Sequence, residues 1–253
     1  DLLEGESLRE VLQRGPVAPA AAGILVEDIA DALSYAHARG VVHRDVKPEN
    51  VFLAERRGGG LRAVLLDFGI ARMNELTSLT QSGVMIGTPR YMSPEQMEDP
   101  RSVDARADVF ALAVVLFELL TGTTPHPGDN ARQVTLSILA GRMLRVSAVL
   151  EDVPPELDQQ LQRALQPDPA RRHPNIEAFA TAVLPLLSST TVAPSREPTE
   201  ADHALTWPPM PEDQVRRVLA ERALDAPMAP CPQCGALNLA GRTMCMRCGV
   251  ALH

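Results

Sequence analysis

The sequence predicts a mainly helical α+β protein with two short strands, followed by a small metal-held β module at the C-terminal end. Three observations predict it. Residues 1–187 carry apolar side chains at helical spacing in one segment after another, broken by short loops. Two strand-like runs, residues 51–54 and 61–66, flank the turn Gly58-Gly59-Gly60. All four Cys fall in the last 23 residues, as two CxxC pairs.

The elements follow in order. Residues 5–15 read as a short helix with Leu8, Val11 and Leu12 on one face. Residues 19–39 form a longer one, opened by Pro19 and closed by Gly40, with Leu25, Ile29, Leu33 and Ala36 at helical spacing. The two strands come next. Residues 104–121 are apolar nearly all round, which predicts a central buried helix. Three more helices are expected near 131–140, 155–165 and 175–187. From 188 to 229 the composition shifts to Ser, Thr and Pro, the mark of a linker, with one short helix near 212–224. Residues 230–253 carry the Cys pairs.

A length of 253 residues with 45% hydrophobic content suits one large domain and an appendage. The formal charge of −8 argues against broad binding to nucleic acid or anionic membranes. No run approaches the roughly 18–20 apolar residues of a membrane span; the best, residues 110–120, contains Glu118. The N-terminus lacks Met, a basic stretch and an apolar stretch, so no signal peptide is visible, and a start at Asp1 points to a piece of a longer chain. A cytoplasmic setting is expected, since the Cys spacing suits a metal site better than a disulfide framework. The 24 basic residues comprise 23 Arg and a single Lys, Lys47. A G+C-rich coding bias is the bland explanation of the Arg excess, and a lone Lys still asks what an ammonium does that a guanidinium cannot.

Lys47 lies in the most informative stretch. Residues 43–50 read His-Arg-Asp-Val-Lys-Pro-Glu-Asn, between the long helix and the first strand. Asp67-Phe68-Gly69 closes the second strand, 17 residues after Asn50, and Gly87-Thr88-Pro89 and Ser93-Pro94-Glu95 follow. Asp-Phe-Gly alone would be a turn; the ordered set is specific. It resembles the eukaryotic-like serine/threonine protein kinases of bacteria, over residues 1–187, which correspond to the C-terminal lobe of the kinase fold.

That resemblance implies the chemistry. γ-Phosphoryl transfer needs positioning and charge stabilisation more than covalent catalysis. Asp45 matches the Asp that orients the attacking hydroxyl and accepts its proton; Lys47 matches the Lys that contacts the transferring phosphate. Asn50 and Asp67 match the two Mg²⁺ ligands, and both offer the oxygen atoms a hard cation requires. The Asp-x-Lys spacing is that of Ser/Thr rather than tyrosine kinases. Leu2 and Leu3 fall in the hinge that hydrogen-bonds adenine, and Phe52 falls at the floor beneath it, so ATP is the implied cosubstrate. Glu49 lies near the ribose and peptide region. Thr88 matches the Thr that hydrogen-bonds the catalytic Asp and Lys, and Asp108 the buried helix Asp that holds the catalytic loop. Glu95 and Arg172 match an ion pair that ties the activation segment to the last helices. His43 and Phe68 match packing positions, and His37 reads as a core histidine. The activation segment carries Thr77, Ser78, Thr80 and Ser82. Thr80 and Ser82 stand closest to phosphoacceptor positions, with Arg44 as the partner of a phosphate; the alternative is a polar mobile loop.

The ATP-binding lobe of the family lies upstream of the hinge. Gly58-Gly59-Gly60 falls too late in the chain to be its phosphate loop, and Lys47 is already assigned. Residues 1–253 alone are therefore expected to bind ATP poorly and to show negligible activity, with the parent protein supplying the missing lobe. Two alternatives stand beside the enzyme: a lobe-less scaffold displaying surfaces to partners, and a small-molecule phosphotransferase of related fold. The Lys47 spacing and residues 87–95 count against the latter.

Cys231-Pro-Gln-Cys234-Gly and Cys245-Met-Arg-Cys248-Gly are separated by ten residues. Four thiolates suit tetrahedral Zn²⁺ in a closed, structural site, with iron and then disulfides as the alternatives. So short a module buries too little to fold without its metal. It holds Arg242 and Arg247 and no acidic or aromatic residue, which argues against nucleic acid and for a protein partner. His253 is not needed as a ligand. Trp207 among Pro208, Pro209 and Pro211 reads as a docking motif or as a packed linker residue.

Overall fold

The computed structural model describes residues 4–55, 61–67, 89–190, 228–230 and 237–239. Leu2, Leu3, the Gly58–Gly60 turn, Phe68, Thr77, Ser78, Thr80, Ser82, Thr88, Trp207, the helix expected near 212–224, and Cys231, Cys234, Cys245 and Cys248 lie outside the described residues.

The first element departs from expectation. Gly5–Ser7 is a strand, β1, and only Leu8–Gln13 is helical, α1. Two local features set that division. Gly5, at φ +150°, approaches the neighbouring strand so closely that a Cβ would stand 1.9 Å from the Leu53 carbonyl oxygen, so only glycine lets the two strands pair here. Ser7 then starts the helix with a capping box: its backbone N–H donates to the Glu10 carboxylate at 2.7 Å, and the Glu10 N–H donates to its hydroxyl at 3.3 Å.

The sheet consequently has three strands rather than the two expected. β2 (Val51–Glu55) pairs antiparallel with β1 through Ser7↔Phe52 and with β3 (Leu61–Leu65) through Phe52↔Val64, giving the order β1-β2-β3. Its outer strand is tied to the long helix α2 (Pro19–His37), because the Ala63 N–H donates to Asp28 Oδ2 at 2.9 Å. α2 buries Leu25, Val26, Ile29, Leu33 and Ala36, the stripe its spacing implies.

A five-residue helix, α3 (Pro94–Glu98), has no counterpart among the expected elements. It is too short to show a periodicity, and its signal is the capping pair Ser93 and Gln96. α4 (Arg106–Thr121) is the axis of the core, with every residue from Ala107 to Leu120 buried. Gly122, left-handed at φ +74°, ends it. Around it stand α5 (Ala131–Leu139), α6 (Pro155–Ala164) and α7 (Ile176–Ser189). Asn130 and Asn175 cap α5 and α7, accepting the N–H groups of Gln133 and Ala178. Phe110, Phe117 and Phe179 are fully buried in the shared core; truncating any one to Ala would cost about 3–5 kcal/mol.

Separately, β4 (Met228–Pro230) and β5 (Leu237–Leu239) pair antiparallel in the register Pro230↔Leu237. Cys231 and Cys234 fall in the sequence between those strands. No described helix is long and apolar enough to cross a membrane.

Candidate active site

The loop after α2 enters the site through a strained backbone. Arg44 has φ +66° and Asp67 φ +50°, left-handed values that non-glycine residues rarely adopt. Each costs on the order of 1–3 kcal/mol, so surrounding contacts must hold it. Asp108, fully buried in the first turn of α4, holds Arg44. Its Oδ1 accepts the Arg44 N–H and its Oδ2 the His43 N–H, both at 2.8 Å. His37, at the end of α2, donates from Nε2 to the same Oδ2 at 2.7 Å. On the other side, Gln96 Nε2 donates to the Arg44 carbonyl at 2.7 Å. Arg44 Nη2 reaches the Val103 carbonyl at 3.3 Å.

Three side chains then converge. Lys47 Nζ donates to Asp45 Oδ2 at 2.8 Å, and Asn50 Nδ2 donates to Asp45 Oδ2 and to the Asp45 carbonyl, each at 2.8 Å. The Asp45 carboxylate is thereby oriented by an ammonium and an amide, with only 15% of its side chain exposed. Asn50 closes the 3₁₀ turn Pro48–Asn50 that leads into β2. His43 braces the loop from beneath: Nδ1 accepts the Asp45 N–H at 3.3 Å and Nε2 faces the Leu66 carbonyl at 3.0 Å. Burial pushes His43 below its ordinary pKa, although the Asp108 carboxylate opposes this. A neutral ring that donates from Nε2 and accepts at Nδ1 fits both contacts.

The second carboxylate arrives from β3. The Leu66 N–H donates to the Asn50 carbonyl at 2.8 Å, which brings exposed Asp67 to the Asn50 end of the turn. These donors fit Mg²⁺. The Asn50 amide nitrogen is committed to Asp45, leaving Oδ1 as its oxygen for a hard cation, and Asp67 adds a carboxylate. Among the described residues no three His, Cys, Asp or Glu side chains form a ready-made metal cluster. A cation that shares its shell with phosphate oxygens needs none.

Of the remaining expected residues, Phe52 lies partly buried on β2 between Ser7 and Val64. Glu95 in α3 and Arg172 form a bidentate pair, Nη1 to Oε1 and Nη2 to Oε2, both at 2.7 Å. The Arg172 guanidinium also donates to the carbonyls of Gln166, Pro167 and Arg106 at 2.7–3.1 Å and lies 5.0 Å from the Phe110 ring centroid. Gln96 and the Asp108 contact of His37 escaped the sequence reading. The Ser93-x-x-Gln96 capping pattern was a legible signal for the first; nothing in the sequence pairs His37 with a residue so far along the chain.

The model of the family described as protein kinase domain matches residues 1–183. The serine/threonine-protein kinase PknL of Mycobacterium tuberculosis is 37% identical over 205 residues, 81% of this chain and 50% of PknL. The serine/threonine-protein kinase PkaA of Streptomyces coelicolor is 40% identical over 181 residues, 71% of this chain and 32% of PkaA. The chain thus spans about half the length of the first relative and less of the second. Among solved structures, Rad53 residues 1–466 in complex with AMP-PNP superposes with a TM-score of 0.57 at 21% identity, covering 74% of this chain and 45% of that one. The likeness to Rad53 shows the fold. By the match over residues 1–183, the chain belongs to the protein kinase family.

Proposed function

We propose that the chain supplies the phosphotransfer half of a serine/threonine protein kinase: catalytic turn, Mg²⁺ ligands, activation segment and protein-substrate surface. The observation that carries this reading is the Asp45 carboxylate held by Lys47 and Asn50 at 2.8 Å. A substrate Ser or Thr hydroxyl attacks the γ-phosphorus of ATP, forming the new O–P bond as the bond to the ADP oxygen breaks. The hydroxyl proton passes to Asp45. Lys47, beside Asp45, offers a compact charge to the phosphoryl oxygens as they move. Asn50 and Asp67 would hold Mg²⁺, which supplies charge neutralisation when bound. ATP reaches the site through an N-terminal lobe of the parent protein, with Leu2, Leu3 and Phe52 on the adenine side. Thr80 and Ser82 are the proposed phosphoacceptors of the activation segment, Arg44 the partner of the phosphate, and Thr88 a ligand of the catalytic pair.

The test is phosphotransfer from ATP-Mg to a Ser/Thr peptide by the parent protein. Asp45→Asn is expected to lower kcat by about 10²–10⁴-fold, the usual range for a positioned general base. An unchanged rate would overturn the reading. Residues 1–253 alone are expected to turn over negligibly, because their single Lys, Lys47, is already used at the catalytic turn. Phosphopeptide mapping of the active protein checks Thr80 and Ser82.

The C-terminal module is proposed as a structural zinc ribbon with Cys231, Cys234, Cys245 and Cys248 as ligands and a protein as its partner. The β4–β5 pair, which flanks the first Cys pair in the sequence, supports it. Elemental analysis should find one Zn²⁺ per chain; iron in its place would overturn the metal assignment.

A further inference from the structure

Arg9 distributes its guanidinium among three distant parts of the chain. Nε donates to Glu49 Oε1 at 2.8 Å, Nη1 to Glu118 Oε1 at 2.8 Å and Nη2 to the Tyr91 hydroxyl at 2.5 Å. The Tyr91 hydroxyl in turn donates to Glu118 Oε2. Glu49 belongs to the Pro48–Asn50 turn, beside the amide that orients Asp45. Tyr91 follows directly on Pro89 and Arg90, and Glu118 sits in α4 between Phe117 and Leu119, both at 0% exposure. Glu118 is therefore an immobile anchor, and α1 carries the clamp. Burial first, and then the Glu118 carboxylate, push the Tyr91 hydroxyl above its ordinary pKa, so it stays a donor.

The geometry requires a fork. Three partners in three directions are met by three nitrogens of one rigid plane, which an ammonium on a flexible stem cannot reproduce. The Glu49 contact is half exposed and contributes little to stability. Its effect is geometric: it ties the outer side of the turn, whose inner side is tied by Asn50 to Asp45.

We propose that Arg9 is a positioning residue for phosphotransfer, fixing the catalytic turn at Glu49 and the segment at Tyr91 against the central helix through one planar guanidinium. Its effect on rate rests on the kinase reading above; its effect on the turn does not.

Two readouts test it. The first is amide hydrogen exchange on the 253-residue chain, comparing wild type with Arg9→Lys. Exchange at residues 49–51 and 91–93 is expected to rise at least tenfold, with α6 and α7 unchanged. Unchanged exchange at 49–51 would overturn the proposal. Should Arg9→Lys loosen the whole chain, Glu49→Ala decides, because it removes the acceptor of Arg9 Nε and leaves the Glu118 and Tyr91 contacts in place: a rise confined to 49–51 supports the proposal, and no rise sinks it. The second is peptide phosphorylation by the parent protein, where Arg9→Ala should lose at least tenfold in kcat. Methylguanidinium should restore several-fold of that loss and methylammonium should not; equal rescue by both would reduce Arg9 to a charge. If the wild-type protein transfers no phosphate, the kinase reading fails, while the exchange experiment still decides the role of Arg9.

Discussion

Asp108 holds Arg44 in a left-handed backbone conformation: its Oδ1 accepts the Arg44 N–H at 2.8 Å where φ is +66°. The same carboxylate takes the His43 N–H and the His37 ring. Asp108→Ala therefore strands one buried and one partly buried backbone donor and releases the strain at Arg44. Each charge-assisted bond contributes about 1.5–3 kcal/mol, so a loss of about 3 kcal/mol or more is expected in urea denaturation. Asp108→Asn, which keeps one acceptor, should lose less. A stability unchanged by the Ala variant would show that the loop holds its shape without α4.

Lys47→Arg tests why this chain keeps one ammonium among so many guanidinium groups. The side chain is 21% exposed and ends 2.8 Å from Asp45 Oδ2, so a bulkier planar head displaces the carboxylate it should orient. Peptide phosphorylation by the parent protein is expected to fall on the order of 10²-fold in kcat, with the urea midpoint nearly unmoved. An undiminished kcat in the Lys47→Arg variant would mean that charge alone suffices.

The Glu95–Arg172 pair links α3 to the segment before α7 with no exposed surface on the Arg side chain and 13% on the Glu. Removing one partner of such a pair leaves a buried charge unmatched and costs about 3–5 kcal/mol. Glu95→Ala is expected near the lower end, because the hydrogen bonds to the main-chain carbonyls of Gln166, Arg106 and Pro167 continue to solvate the Arg172 guanidinium. Arg172→Met should cost more, since it also leaves those carbonyls without a donor. Equal costs in chemical denaturation would contradict this ordering.

Acid sensitivity should trace to the buried histidines, with His126 and His173 adding to His43. Burial pushes His126 down to about 3, and burial with help from Arg163 pushes His173 down to about 4. Both values lie below the unfolded value of about 6.5, so in the window between folded and unfolded values the unfolded chain binds more protons than the folded one. Stability contributed by these neutral rings is complete above about pH 6.5 and is lost as pH falls toward 4 and 3. Each histidine steepens the loss by up to about 1.4 kcal/mol per pH unit. His126 stacks on Phe110 with ring centroids 5.5 Å apart, so His126→Phe keeps the stack and removes one proton from the balance. Urea denaturation at about pH 7, 6 and 5 should show a shallower decline for that variant; an identical slope would locate the sensitivity elsewhere.

What could be read from the residues was whatever is encoded at short range. α2 and the helices from α4 onward begin and end within two residues of their expected positions, since an apolar stripe repeats every few residues along one face. β2 and β3 were legible from their composition and the glycine turn between them. The motifs at 43–50 and 67–69 were legible too, because each is short and contiguous, and the roles expected of Asp45, Lys47, Asn50 and Asp67 come from the family resemblance those motifs carry. Asp108, Glu95 and Arg172 were named through a family resemblance, not through any pattern that pairs them.

Tertiary structure decided the rest. β1 exists because Gly5 can approach the carbonyl of Leu53, far away along the chain, and an isolated three-residue segment carries no period to announce it. His37 meets Asp108, Gln96 meets the Arg44 carbonyl, and Arg9 gathers Glu49, Tyr91 and Glu118 across separations of 40 to 109 residues. The physical reason is common to all of them. A buried polar group must find a partner, but its identity depends on which chain segment the packed helices carry within hydrogen-bond reach. The sequence by itself determined where the long helices run and which short motifs carry the kinase resemblance; only the packed fold decided which distant side chains hold those motifs still.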